Sequence, residues 1–294
     1  MNSHEQLVNL RPEKKFFIGI DSDGCAFDTM EIKQKECFCP NFIKYYNLQP
    51  VSKFARETWE FVNLYSIHRG CNRFLAVSET LRLLALRPEV KSRNFTVPSA
   101  DSLIEWTRKE TKLGNPALKQ YSAGINDPFI NLTLEWSLKV NEDIGKMVFG
   151  ISPFPFVRES LEKMYPEVDI MVVSQTPFEA LQREWKENRI DHFVRMIAGQ
   201  ESGTKAEHLK WGAKNKYPED KILMIGDAPG DLKAARSNGV LFFPVNPGNE
   251  DTSWQRLHDE GLDKFFAGKY KGAYEDRLIE EFETYLPEHP HWRV

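Results

Sequence analysis

Three continuous apolar runs, each followed by a polar residue, constrain the fold of this chain more than any other feature. The runs and the residues that follow them are 16–20 with Asp21, 170–173 with Ser174, and 222–225 with Gly226-Asp227. Apolar runs of this length are typical of strands that are buried on both faces of a parallel sheet. They predict an α/β fold in which polar side chains emerge where buried strands end.

Between residues 151 and 246, these runs alternate with segments that have the apolar spacing of helices and breakers at both ends. The predicted helical segments are 156–165, 177–188, 204–215 and 229–238, and two weaker runs, 196–198 and 240–243, are predicted as further strands. Repeated β and α elements favour a doubly wound parallel sheet. Beyond residue 251, the pattern indicates two more helices and then a polar terminus.

Residues 31–147 separate the first run from this block and contain no convincing strand. Within them, residues 53–86 have helical apolar spacing, and the turn-rich residues 150–155 mark a return to the sheet. We predict a core domain of residues 1–30 and 148–294, interrupted by an inserted α-helical domain of residues 31–147.

Composition excludes several classes of partner. The net charge is -4, from 39 Lys+Arg against 43 Asp+Glu, so no broad basic field favours nucleic acid. Neither residues 1–15 nor any later segment has the apolar run of a signal or a membrane helix, and we expect a cytoplasmic protein. The four cysteines predict free thiols rather than a disulfide scaffold or a zinc site. The sequence gives no indication of the oligomeric state.

Asp21 and Asp23 stand directly after the first strand and before Gly24, where open α/β sheets place their ligands. Such a pair can carry out covalent phosphoryl transfer, the first carboxylate acting as nucleophile and the second as proton donor and acceptor. A helix cap is the plain alternative. A calcium loop is excluded by spacing, since it requires Gly and Glu where this chain has Ala26 and Ile32.

Asp227 and Asp231 follow the strand at 222–225. Asp227 at the strand end could join Asp21 in holding Mg²⁺, which prefers one or two carboxylates together with phosphate oxygens. For Asp231, capping of the helix that follows is a strong alternative. Ser174 could donate a hydrogen bond to phosphate or could only cap a helix.

Lys205 occupies the start of a predicted helix, where the helix dipole disfavours a cation. Its position indicates an anionic partner.

Four motifs of this chain jointly resemble, in order and in strand context, those of the haloacid-dehalogenase-like (HAD) superfamily. They are Asp21-x-Asp23-Gly24, Ser174, Lys205 and Gly226-Asp227-x-x-x-Asp231. The resemblance covers residues 14–30 and about 150–246, and the helical insertion resembles that family's C1-type cap.

This resemblance implies a Rossmann-like core and a Mg²⁺-dependent enzyme of the phosphoglycolate phosphatase and beta-phosphoglucomutase branch. It implies that Asp21 is nucleophile and metal ligand, and that Asp23 is acid/base with its carbonyl on the metal. Asp227 would complete the metal site, Ser174 and Lys205 would bind the phosphoryl group, and Asp231 would orient Lys205 or the metal shell.

A phosphatase acting on a small phosphorylated metabolite is the favoured activity, since water is the default acceptor in a site that does not exclude it. A phosphomutase would use the same carboxylate pair, and a non-catalytic phosphate-binding or scaffold protein remains the alternative of another class. Asp23 argues against dehalogenases and phosphonoacetaldehyde hydrolases. The basic cluster of residues 68–73 could contact the leaving group, although solvated charge at a helix junction is the plainer interpretation.

Overall fold

A computed structural model describes residues 3–292, which form two compact units. The core unit comprises residues 3–30 and 150–286, and the helical unit comprises residues 31–149 and 287–292. The sequence prediction assigned the last residues to the core. In the structure, residues 287–292 belong to the helical unit, where the ring of Trp292 packs against Phe61 at 5.3 Å and under the Arg87 guanidinium at 4.3 Å.

The core unit contains one five-stranded parallel sheet. The strands are β1 Phe16–Ile20, β2 Val168–Val173, β3 Met196–Ala198, β4 Ile222–Gly226 and β5 Leu241–Pro244. Across the sheet they lie in the order β3-β2-β1-β4-β5. Every residue of β1, β2, β4 and β5 is buried, which explains why these strands are apolar almost throughout. The predicted doubly wound α/β core is confirmed.

Helices cover both faces of this sheet. Those of the core unit are α1 Ser3–Asn9, α10 Val157–Met164, α11 Phe178–Glu187, α12 Lys205–Gly212, α13 Pro229–Asn238, α14 Glu250–Arg256, α15 Leu262–Phe266 and α16 Ala273–Tyr285. A π-helical segment, Leu257–Gly261, joins α14 to α15. The tail therefore folds as two helical stretches, 250–266 and 273–285, as the sequence predicts.

Alternation along β1 divides the core into two apolar layers. Phe16, Ile18 and Ile20 pack with one set of helices, which includes α11 through Trp185. Phe17 packs on the other side, with a set that includes α12 and α13. Burying a large apolar side chain contributes about 1.5–3 kcal/mol, so these layers fix the strand ends from which the polar residues emerge.

The helical unit has an apolar core of its own. Its helices are α2 Thr29–Ile32, which begins in the core unit, α3 Cys39–Tyr45, α4 Ser52–Leu64, α5 Arg73–Leu86, α6 Pro88–Lys91, α7 Asp101–Lys109, α8 Asn115–Gly124 and α9 Pro128–Met147, with a π-helical segment Lys33–Phe38. Trp59, Trp106 and Trp136 are buried in it as packing residues. None of the described helices has the length and apolarity needed to span a membrane.

A buried carboxylate anchors the start of β2. Asp169 is 1% exposed and accepts hydrogen bonds from the main-chain N–H groups of Glu13 and Lys14, at 2.8 and 3.0 Å. It also accepts from the Tyr217 hydroxyl at 2.6 Å and pairs with Arg195 at 3.0 Å. Burial alone would raise the pKa of Asp169, but these donors together hold it below its usual range.

We expect Asp169→Asn to lower the free energy of unfolding by about 2–3 kcal/mol, because an amide presents donors to groups that need a charged acceptor. The folded-state pKa lies below the unfolded value of about 3.9, so this stabilisation is complete above that pH and is lost as pH falls through the folded-state pKa. Urea denaturation near neutral pH and in acid measures both effects. The exposed Glu13 pairs with the same arginine, and Glu13→Gln should cost less than about 1 kcal/mol. Equal losses in the two variants would contradict this account.

Candidate active site

The central position of β1 brings the predicted site residues to one edge of the sheet. Asp21 follows the last residue of β1, and Asp227 follows the last residue of β4, its hydrogen-bonded neighbour. Ile20 is paired with Ile225, and the Asp21 N–H donates to the Ile225 carbonyl at 3.0 Å. Strands β2 and β4 lie on opposite sides of β1. Open α/β sheets bind ligands in the crevice at the strand ends of such a position.

Three buried carboxylates meet at this edge. Asp21 is 5% exposed, Asp227 and Asp231 are fully buried, and one oxygen from each lies within 4.8 Å of the others. Among the described residues, this is the one group of three or more potential ligands close enough to hold a metal ion. Three negative charges at this separation repel one another strongly unless a cation lies between them.

Lys205 supplies such a cation from the N-terminus of α12. Its Nζ donates to Asp21 Oδ2 and to Asp231 Oδ1, both at 2.7 Å. Burial alone would lower the pKa of Lys205, but the carboxylates of Asp21, Asp231 and Asp227 raise it above its usual range. The ammonium is therefore charged at any physiological pH. Its position at a helix start, unfavourable for the dipole, is explained by these anionic partners.

Asp231 has two roles in the structure. Its Oδ2 accepts the main-chain N–H of Ala228 at 3.1 Å and so caps α13, while its Oδ1 binds Lys205. Burial raises the pKa of Asp231 to about 6, and Lys205 opposes that shift. The cap and the lysine contact, which the sequence presented as alternatives, therefore coexist.

Gly226 makes the approach of Asp231 possible. A Cβ at this position would lie 2.3 Å from the Cβ of Asp231, closer than packed atoms come to one another. The glycine of the Gly226-Asp227 pair is thus required by close packing of α13 against the end of β4. Sequence reasoning assigned it no role, because its only signal is the absence of a side chain.

Asp23 lies outside the three-carboxylate cluster. It is half-buried, and its Oδ1 accepts a hydrogen bond from the buried hydroxyl of Thr29 at 2.5 Å. Ser174 follows β2 at the same edge of the sheet, and its Oγ accepts the main-chain N–H of Thr176 at 3.2 Å. The predicted roles of Asp23 in proton transfer and of Ser174 in phosphate binding stay predictions.

Two buried tryptophans donate hydrogen bonds to the loop that carries Asp21 and Asp23. Trp185 Nε1 donates to Ser22 Oγ at 2.9 Å, and Trp254 Nε1 donates to the Cys25 carbonyl at 2.7 Å. Burial and the nearby carboxylates raise the pKa of the Cys25 thiol well above its usual range, so it stays protonated. No local sequence pattern indicates these contacts, which join residues far apart in the chain.

The basic cluster of residues 68–73 separates into unlike environments within the helical unit. Arg69 is 3% exposed and donates to the Leu64 carbonyl at 3.0 Å, which is a structural contact. Arg73 lies over the ring of Phe38 at 4.9 Å and donates to Asn141 Oδ1 at 2.7 Å. Burial lowers the pKa of Arg73 to about 10.

The four cysteines are free thiols, three of them buried.

No protein-family model and no curated protein matches this sequence. The chain is similar to solved structures that include a protein named as a predicted phosphoglycolate phosphatase from Lactobacillus delbrueckii subsp. bulgaricus, at 19% identity and a TM-score of 0.49, covering 85% of this chain and 98% of that one. It is also similar to a haloacid dehalogenase-like hydrolase from Streptococcus pneumoniae, at 13% identity and a TM-score of 0.43, covering 82% and 90%.

A third similar structure is a HAD hydrolase from Bacillus subtilis bound to magnesium, at 13% identity and a TM-score of 0.39, covering 78% of this chain and 86% of that one.

Proposed function

We propose that this protein is a Mg²⁺-dependent phosphatase that hydrolyses a small phosphorylated metabolite through an aspartyl-phosphate intermediate. The observation that carries the proposal is the cluster at the ends of β1 and β4, where Lys205 binds Asp21 and Asp231, and Asp227 lies close to both carboxylates. A buried cation among three carboxylates, with a further carboxylate two residues along the loop, suits phosphoryl transfer.

The donor set fits Mg²⁺. Asp21, Asp227 and Asp231 offer only carboxylate oxygens, the hard ligands that Mg²⁺ prefers, and their oxygens lie within 4.8 Å of one another. We assign the carboxylates of Asp21 and Asp227 and the main-chain carbonyl of Asp23 as metal ligands. Asp231 would support the groups that surround the metal. When bound, the ion would neutralise negative charge on the phosphoryl oxygens.

Asp21 is the proposed nucleophile. Its oxygens are oriented before substrate binds, since Oδ1 accepts the Ser22 N–H at 2.8 Å and Oδ2 accepts from Lys205. In the first step, a carboxylate oxygen forms a bond to phosphorus as the bond to the leaving oxygen breaks, and that oxygen takes a proton from Asp23. In the second step, water attacks the phosphorus of the aspartyl phosphate, gives its proton to Asp23 and regenerates Asp21.

Lys205 and Ser174 are the proposed phosphoryl-binding residues. The permanently charged ammonium of Lys205 can stabilise charge on the transferring group without gaining or losing a proton. The Ser174 hydroxyl, at the end of β2, can donate to a second phosphoryl oxygen while it accepts the N–H of Thr176.

Turnover of p-nitrophenyl phosphate separates this enzyme from a non-catalytic phosphate-binding protein. Phosphoryl transfer to a sugar hydroxyl instead of water would identify a phosphomutase.

Metal dependence provides one test. Activity should vanish in EDTA and return with Mg²⁺, whereas Ca²⁺ should substitute poorly because it prefers more ligands and looser geometry. Mg²⁺ at about 100 times its Kd should also raise the free energy of unfolding by about 2.7 kcal/mol. Asp227→Asn should reduce that gain while leaving the metal-free protein at least as stable, since one repelling charge is removed. Full activity in chelator would disprove the metal assignment.

The nucleophile provides a second test. Asp21→Asn should lower kcat by at least roughly 10⁴-fold, because the amide cannot form the acyl phosphate. Acid-quenched wild-type protein should retain label from a radioactive phosphate ester, and the variant should not. Asp251→Asn makes the same substitution at an exposed position and should keep normal turnover and labelling. Near wild-type hydrolysis by purified Asp21→Asn would exclude the covalent mechanism.

Proton donation provides a third test. An alkoxide leaving from phosphorus needs a proton, and a positioned acid contributes roughly 10²- to 10⁴-fold. Asp23→Asn should therefore slow hydrolysis of an alkyl phosphate far more than that of an activated aryl phosphate, whose leaving group is already a stable anion. Both substrates use the same nucleophile and phosphoryl pocket, so they control for one another. Equal losses on the two would remove Asp23 from the role of general acid.

A further inference from the structure

Ser22 stands between the two loop carboxylates, and its fully buried side chain points to α11. Its Oγ accepts the indole N–H of Trp185 at 2.9 Å and donates to Glu184 Oε2 at 2.9 Å. An indole nitrogen can only donate, and an ionised carboxylate can only accept. The hydroxyl proton is therefore directed at Glu184, and the Ser22 side chain uses its hydrogen bonds to attach the loop to α11.

The main chain of Ser22 organises the rest of the loop. Its carbonyl accepts the N–H groups of Ala26 and Phe27, both at 3.0 Å, which closes the turn around Gly24 with its positive φ of 81°. The ring of Phe27 lies edge-on to Trp185 with centroids 5.8 Å apart. A displacement of Ser22 would therefore change the course of the chain on both sides of Asp23.

Asp21 and Asp23 depend on Ser22 to different degrees. Asp21 accepts the Ser22 main-chain N–H, which Ser22→Ala retains, and it is also held by its own N–H bond to the Ile225 carbonyl and by Lys205. Asp23 lies beyond the last residue of β1, inside the turn that the Ser22 carbonyl closes, and Thr29 contacts its Oδ1. Loss of the Ser22 attachment should therefore displace the proton donor more than the nucleophile.

We propose that Ser22, Trp185 and Glu184 form a positioning relay that aims the Asp23 carboxylate at the leaving oxygen. The relay rests on the proposed function, because it assigns these residues to the acid step of that reaction. Misplacement of a reacting group by about 1 Å can cost about 10²-fold in rate. A fault in the relay should accordingly appear as a selective loss of proton transfer, with substrate binding retained.

Ser22→Ala tests the relay with the pair of alkyl and aryl phosphates. We expect kcat for the alkyl phosphate to fall by about 10- to 10²-fold, kcat for the aryl phosphate to change by much less, and KM for both to stay close to wild type. Glu184→Ala should reproduce this selectivity. Glu184→Gln keeps an acceptor oxygen for the Ser22 hydroxyl and should restore alkyl phosphate turnover.

Ser253→Ala is the matched control. This serine is 3% exposed, lies in the same unit, donates to the Asn249 carbonyl at 2.9 Å and accepts the Asn246 N–H at 3.0 Å. It should have a similar effect on stability but none on the ratio of alkyl to aryl turnover. If Ser22→Ala does not fold, Glu184→Ala answers the question alone, because Glu184 is half-buried and tolerates truncation better.

The outcomes separate the relay from the activity on which it rests. Selective alkyl loss in Glu184→Ala, and in Ser22→Ala where that variant folds, with recovery in Glu184→Gln, supports the relay. Equal losses on both substrates, or a wild-type ratio in Glu184→Ala, overturn it and leave the phosphatase intact. A wild-type protein that hydrolyses neither substrate with Mg²⁺ overturns the proposed function and the relay together.

Discussion

The site depends on one electrostatic arrangement, the ammonium of Lys205 among the carboxylates of Asp21, Asp227 and Asp231. Three carboxylates with oxygens within 4.8 Å, all almost without solvent exposure, are unfavourable by themselves. The lysine offsets part of that repulsion with two bonds of 2.7 Å. The net negative charge that remains makes the site receptive to a divalent cation, and the ammonium makes it receptive to a phosphate.

The parallel sheet, with β1 at its centre and β4 beside it, builds this arrangement. Asp21 and Asp227 are more than 200 residues apart in sequence, yet they end neighbouring strands in register at Ile20 and Ile225. Because every residue of those strands is buried, a shift in register would bury the carboxylates among apolar side chains. The register that packs the apolar side chains is therefore also the register that brings the carboxylates together.

The strand ends were predictable from the sequence because buried parallel strands are read as apolar runs, and their carboxyl ends meet at one edge. That rule places Asp21 and Asp227 at the same edge, and the pairing of β1 with β4 brings them together. The hint given by Lys205 at a helix start also has its explanation in the structure, where two carboxylates bind it. The roles of Asp23 and Ser174 rest on their position and on the resemblance, since neither lies in the charged cluster.

Contacts that join distant elements without a periodic pattern could not be predicted. The bonds from Ser22 to Glu184 and Trp185 cross more than 160 residues, and a buried serine or tryptophan gives no sign of its partner. The same holds for Trp292, which lies in a segment that the sequence indicated only as a polar terminus, whereas its ring packs in the helical unit. Sequence patterns identify residues that recur along one element, whereas each of these contacts joins two residues that are far apart in the chain.

The two loop carboxylates are held in ways that suit different tasks. A nucleophile must keep one position relative to the phosphoryl group. Asp21, the proposed nucleophile, is held by its N–H bond to the Ile225 carbonyl, by the Ser22 N–H and by the Lys205 ammonium. Asp23, the proposed proton donor, lies outside the three-carboxylate cluster, and its Oδ1 accepts a hydrogen bond from the Thr29 hydroxyl. The sheet and the charged cluster therefore hold the proposed nucleophile, whereas the proposed proton donor lies in the loop beyond them.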